Sequence, residues 1–513
     1  MIVEDQREVI DYLASAAAHG GGPVERIDTH TAVVFLTGAR ALKLKRAVTF
    51  DYLDFSTPER RRVLCGAEVR LNRRTAPTLY RGVVAVTREA DGSLALGGRG
   101  TPIDWVVEMN RFDQEALFDR LAANGRLDVD LMPALAKAIA QFHLAAEHRK
   151  DHGGRAGMGW VVDGNAMAFA EFAGVLEPAA CARLTDDSRA ALDRHAGLLD
   201  RRRASGFVRQ CHGDLHLRNI VLLEGRPVLF DAVEFNDEIA CTDVLYDLAF
   251  LLMDLWRRRL PRHANAVWNG YLAETVDLEA IPLLPLFLSC RAAVRAKTSA
   301  TAARFQSDAQ RAGELQDMAR EYLTMAQTLL RPPAPCLIAI GGLSGSGKST
   351  LAMALAPSVG AVPGAVVLRS DEIRKRLCGV DPLERLGPEG YAPEVSTRVY
   401  QMVAERASLA IRGGHAAIAD AVYARPADRQ TIERVAADAS VPFAGLWLDA
   451  PEAALIERTR RRRNDPSDAD AAVIRMQQAR DTGAIGWQRI DASLPTDAVL
   501  RKAIDRLPGS GLL

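Results

Sequence analysis

The chain has 513 residues, of which 48% are hydrophobic and 25% charged, and its formal net charge is +0. This length allows two or three domains with substantial cores, and the balanced charge argues against nucleic acid or an anionic membrane as a partner. The seven cysteines form no CxxC pair, so we expect neither a metal site of that type nor a disulfide framework. A globular, cytoplasmic protein is the expectation.

The first part of the chain predicts a small sheet with one helix, followed by a mostly helical stretch from about residue 117 to residue 330. Val244–Trp256 is the most apolar helical run, but it is too short for a membrane span and contains two aspartates. The N-terminus has early acids and no long apolar core, so no signal peptide is expected. The expected strands are Thr31–Leu36, Ala41–Leu44, Gly82–Thr87, Trp105–Met109, Asn219–Leu223 and Val228–Phe230, and the expected helix is Thr57–Arg74.

Residues 212–219 read HGDLHLRN and carry the strongest chemical signal of this first part. Asp214 and Asn219 stand five residues apart, which is the spacing of the kinase catalytic loop. An aspartate at that place accepts the proton of the attacking hydroxyl, and the asparagine oxygen binds Mg²⁺. Asp231 follows Asn219 by twelve residues, behind a predicted strand, where a second metal-binding aspartate would lie.

Two further residues are expected to hold this loop in place. His212 would fix it by hydrogen bonding, and Asp247 would brace it from the following helix. A surface loop rich in histidine and aspartate is the alternative interpretation. The second aspartate, behind a strand and at the correct distance, favours a phosphoryl-transfer site.

With these residues the chain resembles the aminoglycoside phosphotransferase family over about residues 25–300, since that family's loop also reads HGD with an asparagine after it. The resemblance implies an α+β, protein-kinase-like fold in which Lys43 pairs with phosphates and Glu68 of a helix holds that lysine. Lys45 lies on the same strand face, so the choice between the two lysines stays open. The family's antibiotic acceptor does not follow from these motifs.

The sequence departs from the protein-kinase pattern at two places. No GxGxxG loop precedes Lys43, so we expect the N-terminal domain to bind the triphosphate differently from a protein kinase. The second aspartate opens the sequence Asp231-Ala232-Val233-Glu234-Phe235 and not DFG. Neither departure removes a group that the phosphoryl transfer needs.

The segment Arg331-Pro332-Pro333-Ala334-Pro335 is the clearest boundary in the sequence. Three prolines in four residues cannot continue a helix, and they form a stiff, extended spacer. We therefore predict an N-terminal domain at residues 1–330, a proline-rich linker at residues 331–335 and a C-terminal domain at residues 336–513.

Residues 341–350 read GGLSGSGKST and contain the P-loop pattern of Gly, four residues and Gly-Lys-Ser. An apolar run, Cys336–Ile340, precedes the motif and a helix-forming run, Ser349–Ala356, follows it, which is the context that the motif needs. Loop N–H groups bind phosphate oxygens, while the lysine reaches the β- and γ-phosphates and the serine coordinates Mg²⁺. ATP and Mg²⁺ are therefore the expected cofactors. The residues expected to bind nucleotide here are Gly342, Ser344, Gly345, Ser346, Gly347, Lys348, Ser349 and Thr350.

Short apolar runs alternate with helical patterns after the P-loop, which predicts an α/β domain with a parallel sheet. Asp371 follows one predicted strand and is a candidate general base, and Arg374, one turn later, is a candidate ligand of an anionic acceptor. Asp420 ends another strand and suits Mg²⁺ coordination, with a helix cap as the alternative. Arg458 and Arg462 form either a lid over the phosphates or a solvated helix face. The expected strands are Val366–Leu368, Ala416–Ala419 and Phe443–Leu448, with a weaker one near Trp487–Ile490.

These features resemble the P-loop kinases related to phage polynucleotide kinase, gluconate kinase and zeta toxins, over about residues 336–495. The order of the two parts resembles the bacterial proteins described as bifunctional aminoglycoside phosphotransferase/ATP-binding proteins, with a predicted kinase of the AAA type as the second part. This resemblance covers nearly the whole chain and implies an architecture more firmly than a substrate.

The leading hypothesis is a kinase with two sites, each of which transfers the γ-phosphoryl group of ATP to a hydroxyl of a small molecule such as a sugar or amino sugar. One alternative is a non-catalytic N-terminal sensor that controls the P-loop domain. Another is a kinase acting on a nucleotide or polynucleotide 5′-hydroxyl end, although the net charge of +0 makes extended nucleic acid an unexpected partner. Neither membrane partner nor oligomeric state is implied by the sequence.

Overall fold

The computed structural model describes residues 3–50, 52–461 and 465–507, which form two compact units. The first contains the residues up to Asp163 together with Leu192–Asp254, and the second contains Gly164–Ala191 together with the residues from Leu255 onwards. The proline-rich segment 331–335 lies inside the second unit. The helices before this segment and the sheet after it belong to the same compact unit. The domain boundary expected there therefore stays a prediction.

The first half of the chain combines antiparallel strands with helices, as the sequence predicts. Each expected strand and the expected helix is present within a few residues of its predicted bounds. In chain order the elements are α1 (Arg7–Ala14), β1 (Val24–Asp28), β2 (Ala32–Thr37), β3 (Arg40–Lys45), β4 (Thr49–Phe50), β5 (Leu53–Asp54), α2 (Pro58–Asn72), β6 (Tyr80–Arg88), β7 (Leu94–Leu96), β8 (Thr101–Asn110), α3 (Phe118–Ala123), α4 (Met132–Ala145), α5 (Gly154–Glu171), α6 (Pro178–Ala204), β9 (Val208–Gln210), β10 (Ile220–Leu223), β11 (Arg226–Leu229), α7 (Asp237–Ala240), β12 (Cys241–Asp243) and α8 (Val244–Arg257).

The main sheet of the first unit has six antiparallel strands in the order β1-β2-β3-β8-β6-β7. Helix α2 begins at Pro58, where Thr57 accepts a hydrogen bond from the Arg60 N–H and caps the first turn. Its apolar side, with Cys65 and Val69, packs on one face of the sheet. This arrangement places α2 opposite every second residue of β3.

The second half of the chain alternates strands and helices after three long helices. In chain order these elements are α9 (Pro261–Thr275), α10 (Leu284–Arg304), α11 (Ala309–Leu329), β13 (Leu337–Gly342), α12 (Lys348–Leu355), β14 (Val366–Arg369), α13 (Ser370–Leu377), α14 (Pro393–Arg412), β15 (Ala417–Asp420), α15 (Pro426–Asp438), β16 (Phe443–Asp449), α16 (Glu452–Arg461), α17 (Ala471–Gln478), β17 (Gln488–Asp491) and α18 (Thr496–Ile504). The weaker strand expected near residue 487 is β17, so that prediction is confirmed.

The sheet of the second unit has five parallel strands in the order β14-β15-β13-β16-β17. Every residue of the central strand β13 is buried, because helices cover both faces of a sheet of this kind. The carboxyl ends of parallel strands meet at one edge, and ligands bind at that edge. Among the described residues, no helix combines the length and the apolarity that crossing a membrane requires.

Candidate active sites

The first site forms where strand β3 faces helix α2. Lys43 and Lys45 both point towards α2, since side chains alternate along a strand. Lys43 Nζ donates to Glu68 Oε1 at 2.8 Å and to Asp231 Oδ1 at 2.5 Å. Asp231 follows β11 and is 188 residues away from Lys43 in the chain. The fold therefore brings a strand lysine, a helix glutamate and the second aspartate together.

Lys45 forms a second ion pair beside the first. Its Nζ donates to Glu68 Oε2 at 2.5 Å and also to Glu234. Lys45 is 1% exposed, whereas the Lys43 side chain is 17% exposed. Lys43 is therefore the more accessible of the two lysines, and Lys45 is enclosed by two carboxylates.

The charges of this cluster stabilise one another against burial. Burial opposes the charged form of Lys43, but Asp231 and Glu68 outweigh it and hold the pKa of this lysine well above its usual value. Burial also opposes ionisation of Glu68, yet Lys43 and Lys45 bring the pKa of this carboxyl down to about 2. The lysine and the glutamate are therefore both charged near neutral pH.

The loop after β9 carries Asp214 and Asn219. Asn219 Nδ2 donates to the Asp214 carbonyl oxygen at 2.9 Å and to Asp214 Oδ2 at 3.1 Å, which leaves the amide oxygen of Asn219 as a possible metal ligand. The Asp214 side chain is 41% exposed, so its carboxylate is accessible to an acceptor. Asp231 has a φ of 63°, and its N–H donates to the Tyr80 hydroxyl at 3.1 Å.

Helix α8 holds this loop through two aspartates. Asp247 accepts hydrogen bonds from the N–H of His212 at 3.1 Å and from that of Gly213 at 2.8 Å. Asp254 accepts from the Leu217 N–H at 3.1 Å. His212 Nε2 lies 2.9 Å from the Phe230 carbonyl oxygen and donates to it. The bracing expected of the histidine and of Asp247 is thus confirmed.

The second site lies at the carboxyl edge of the parallel sheet, where β13 leads into α12. Gly345 has a φ of 83°, and a Cβ at this position would lie 2.5 Å from the Leu455 carbonyl oxygen, so only glycine fits there. Lys348 Nζ donates to the Leu343 carbonyl oxygen at 3.1 Å. The Ser346 hydroxyl is buried and has no hydrogen-bond partner within the described part of the chain, which fits a group that binds a phosphate oxygen.

Ser349 and Asp420 meet beside the P-loop. Ser349 Oγ donates to Asp420 Oδ2 at 2.5 Å, and Asp420 is 3% exposed. Burial raises the pKa of Asp420, which Lys348 and Arg369 partly offset. Hydroxyl and carboxylate oxygens are the ligands that Mg²⁺ prefers. The pair therefore fits a magnesium ion held against nucleotide phosphates.

Asp371 and Arg374 lie on α13, directly after β14 and at the same edge of the sheet. Arg374 is 7% exposed, and its Nη1 donates to the Gly390 carbonyl oxygen at 2.7 Å and to Ser396 Oγ at 3.2 Å. Its guanidinium lies over the Tyr391 ring at 4.8 Å from the centroid. These partners of Arg374 are all neutral. Its Nε has no hydrogen-bond partner among residues 3–50, 52–461 and 465–507.

The two candidate lid arginines differ in what the structure describes. Arg458 lies on α16, and its Nη2 donates to the Ala492 carbonyl oxygen at 2.7 Å. Arg462 lies outside the described residues. The lid stays a prediction.

Two residues after α16 make contacts with the second site that the sequence analysis did not predict. Gln477 of α17 accepts a hydrogen bond from the Ser344 N–H at 2.9 Å and donates to the Ser344 hydroxyl at 3.0 Å, so it holds a P-loop residue. Asp465 lies 3.2 Å from Arg369 Nη2. No motif marks these residues, because in the sequence they cannot be distinguished from polar residues on a solvent-exposed surface.

Comparison with known proteins gives matches over both halves of the chain. The model described as the phosphotransferase enzyme family matches residues 70–281, and the model described as an AAA domain matches residues 337–482. An uncharacterized protein of Mycobacterium tuberculosis is 30% identical over 484 residues, which cover 93% of this chain and 94% of that protein. This chain belongs to the same family.

The family matches and the topology confirm the predicted fold class. A kinase-like α+β phosphotransferase domain precedes an α/β P-loop kinase domain with a parallel sheet, and this family member is a phosphotransferase enzyme. An adenylyl-sulfate kinase of Myxococcus xanthus is 31% identical over 118 residues, which are 23% of this chain and 59% of that protein. The structure of a choline/ethanolamine kinase family protein from Mesorhizobium loti is 14% identical, with a TM-score of 0.39, and covers 64% of this chain and 95% of that one. Neither of these two similarities assigns an acceptor.

Proposed function

We propose that this phosphotransferase is an ATP-dependent kinase with two sites, each of which transfers the γ-phosphoryl group of ATP to a hydroxyl of a small molecule. The observation that supports the proposal is that each half of the chain has its own set of residues of the types that phosphate, metal and an acceptor hydroxyl require. The sets are Lys43, Glu68, Asn219, Asp231 and Asp214 in the first site, and Lys348, Ser349, Asp420 and Asp371 in the second.

In the first site, the accessible carboxylate of Asp214 accepts the proton of the acceptor hydroxyl. The hydroxyl oxygen then forms a bond to the γ-phosphorus, and the bond from that phosphorus to the bridging oxygen breaks, so ADP leaves with the electron pair. Lys43 neutralises phosphate charge, and Asn219 and Asp231 would hold Mg²⁺, which supplies further charge neutralisation when bound. Lys45 is enclosed and therefore positions Glu68.

In the second site, Lys348 and the loop N–H groups neutralise the phosphates, and Ser349 and Asp420 would hold Mg²⁺. Asp371 takes the role that Asp214 has in the first site. The two hydrogen-bond partners of the buried Arg374 guanidinium are neutral. This supports an acceptor that carries an anionic group, since a buried cation favours an opposite charge nearby.

The side-chain contacts within the first site support catalysis there, and they favour it over a sensor without activity. Lys43 bonds both Glu68 and Asp231, and Asn219 bonds Asp214, so the catalytic groups are oriented toward one another. We also propose a cytoplasmic location, which the free cysteine thiols support.

The experiment that tests the proposal measures ADP formation from Mg²⁺–ATP by the full chain in the presence of sugars, amino sugars and sugar acids. Asp214→Asn should remove phosphorylation of first-site acceptors, and Lys348→Ala should remove that of second-site acceptors, each by about a thousandfold. Each variant should keep the other activity, and the double variant should have none. If either single variant abolishes all phosphorylation, one half is a regulator and the proposal of two sites is wrong.

A further inference from the structure

Strand β14 is an edge strand, because among the residues that the structure describes it pairs with β15 alone. The N–H of Val366 donates to the Ala416 carbonyl oxygen on the side of β15. Backbone groups of the alternate residues Ala365 and Val367 therefore face away from the sheet, where an edge strand needs other partners.

Two asparagines of helix α9 supply those partners. Asn269 Oδ1 accepts a hydrogen bond from the Val367 N–H at 2.7 Å. The Nδ2 groups of Asn265 and Asn269 both donate to the Ala365 carbonyl oxygen at 3.1 Å, and Asn265 is 4% exposed. The two side-chain amides, one helical turn apart, thus take the place of a neighbouring strand.

Helix α9 is attached to the same region at two further points. Arg376 of α13 donates to the Glu274 carbonyl oxygen at 3.0 Å, which is a favourable place for a cation, at the C-terminal end of α9. Trp268 of α9 packs edge-on against the His415 ring at 6.0 Å. His415 Nε2 in turn donates to the Gly364 carbonyl oxygen at 2.8 Å, just before β14.

These attachments lie on either side of the residues that serve the second site. Asp371 and Arg374 lie between the asparagine contacts at the start of β14 and the Arg376 contact at the end of α13. The P-loop follows β13, and β15 separates that strand from β14. In sequence, α9 belongs to the segment that matches the phosphotransferase family model, at residues 70–281.

We propose that Asn265 and Asn269 are positioning residues of the second site, through which a helix of the phosphotransferase segment sets the place of Asp371 and Arg374 relative to the P-loop. The inference rests on the function proposed above for that site. Loss of the asparagine contacts should impair the acceptor side and spare nucleotide binding, because a small displacement of a reacting group lowers the rate much more than it lowers the affinity of a separate subsite.

The test uses the full chain with Asp214→Asn, which silences the first site, and measures kcat and KM for ATP with water as the acceptor. Asn269→Leu, which cannot form either hydrogen bond, should lower kcat at least about tenfold and leave KM for ATP within about twofold. Arg262→Ala, an exposed position on the same helix, serves as the control and should leave both constants unchanged.

A second variant separates positioning from general stability. Asn269→Asp keeps the size of the side chain and the acceptor for the Val367 N–H, but its carboxylate cannot donate to the Ala365 carbonyl oxygen. Protonation restores that donor, so its kcat relative to the Asp214→Asn parent should be low at about pH 8 and should recover towards about pH 5.5. Asn269→Leu should not recover, and Asn269→Asp carries the test if the leucine variant fails to fold.

The inference alone is overturned if kcat and KM for ATP change in parallel, or if the aspartate variant shows the pH profile of the leucine variant. Lys348→Ala in the same background tests the underlying function. If turnover persists in Lys348→Ala, the proposed function of the second site is wrong, and the inference is wrong with it. Turnover that is lost in Lys348→Ala but unchanged in Asn269→Leu rejects only the positioning role.

Discussion

The two proposed phosphoryl-transfer sites would bind phosphate with different parts of the chain. In the first site, Lys43, Glu68 and Asp231 come from a strand, a helix and a loop, and their contacts are ion pairs between side chains. In the second site, the consecutive residues Gly342–Ser349 offer backbone N–H groups, and their geometry depends on glycine conformation. A cluster of buried charges is stable only while every charged side chain keeps a partner of opposite charge. A backbone loop depends mainly on residues that can adopt its φ and ψ angles. The predictions below separate these two kinds of site.

The largest expected effect concerns the enclosed lysine of the first site. Lys45→Met should lower the free energy of unfolding by about 3–5 kcal/mol, because it leaves Glu234 buried without its cation. Lys43→Met should cost less, since Glu68 keeps Lys45 and the Asp231 side chain is 40% exposed. Urea titrations of both variants measure the difference. The double variant Lys45→Met/Glu234→Gln should recover part of the loss, and equal losses for the two lysines would contradict the division between them.

In the second half of the chain, the buried residue His415 is a neutral histidine, and no carboxylate of the described residues pairs with it. Burial lowers the pKa of His415 to about 4 from its ordinary value of 6.5. The unfolded chain then binds more protons than the folded chain between these values, so stability is full above pH 6.5 and falls as the pH drops towards 4. The loss should reach about 3 kcal/mol once the pH is below 4. Urea titrations at several pH values should show that His415→Gln removes this dependence, and an unchanged pH dependence would rule out His415 as its source.

The aspartates proposed to bind metal and to accept a proton in the first site should differ in their effect on nucleotide affinity. Asp231→Asn should weaken binding of Mg²⁺–ATP by about a hundredfold, as loss of a metal ligand does. Asp214→Asn should leave that affinity nearly unchanged, because its carboxylate faces the acceptor. Calorimetric titration in a chain that also carries Lys348→Ala isolates the first site. Identical affinities in the two variants would show that the roles are not divided in this way.

The smallest expected effect tests how far the P-loop depends on side chains. Gln477→Ala removes two hydrogen bonds to Ser344 and should raise the dissociation constant for Mg²⁺–ATP at the second site by about tenfold. Gln478→Ala, at the exposed next position, is the matched control and should have no effect. A Gln477 variant with unchanged affinity would mean that the glycine loop alone keeps its binding conformation.

Much of the local structure is predictable from the sequence. Apolar periodicity predicts helix α2, the strands of the second sheet and strands β2, β3, β6 and β8 of the first sheet, but not its outer strands β1 and β7. The P-loop follows from a contiguous glycine pattern between a strand and a helix. The spacing of Asp214 and Asn219 likewise lies within one loop. These features depend on neighbours in the chain, so local preferences are enough to indicate them.

The partners of these residues are decided by tertiary structure. The pairing of Lys45 with Glu234, the anchoring of the catalytic loop by Asp254 and the contact of Gln477 with Ser344 join residues that lie far apart in the chain. The same holds for Asn269, which bonds an edge strand nearly a hundred residues later. No local pattern specifies such pairs, because each of these polar side chains could equally well be exposed and form its hydrogen bonds with water. Packing of the apolar faces brings them together, and burial then makes their hydrogen bonds and ion pairs necessary.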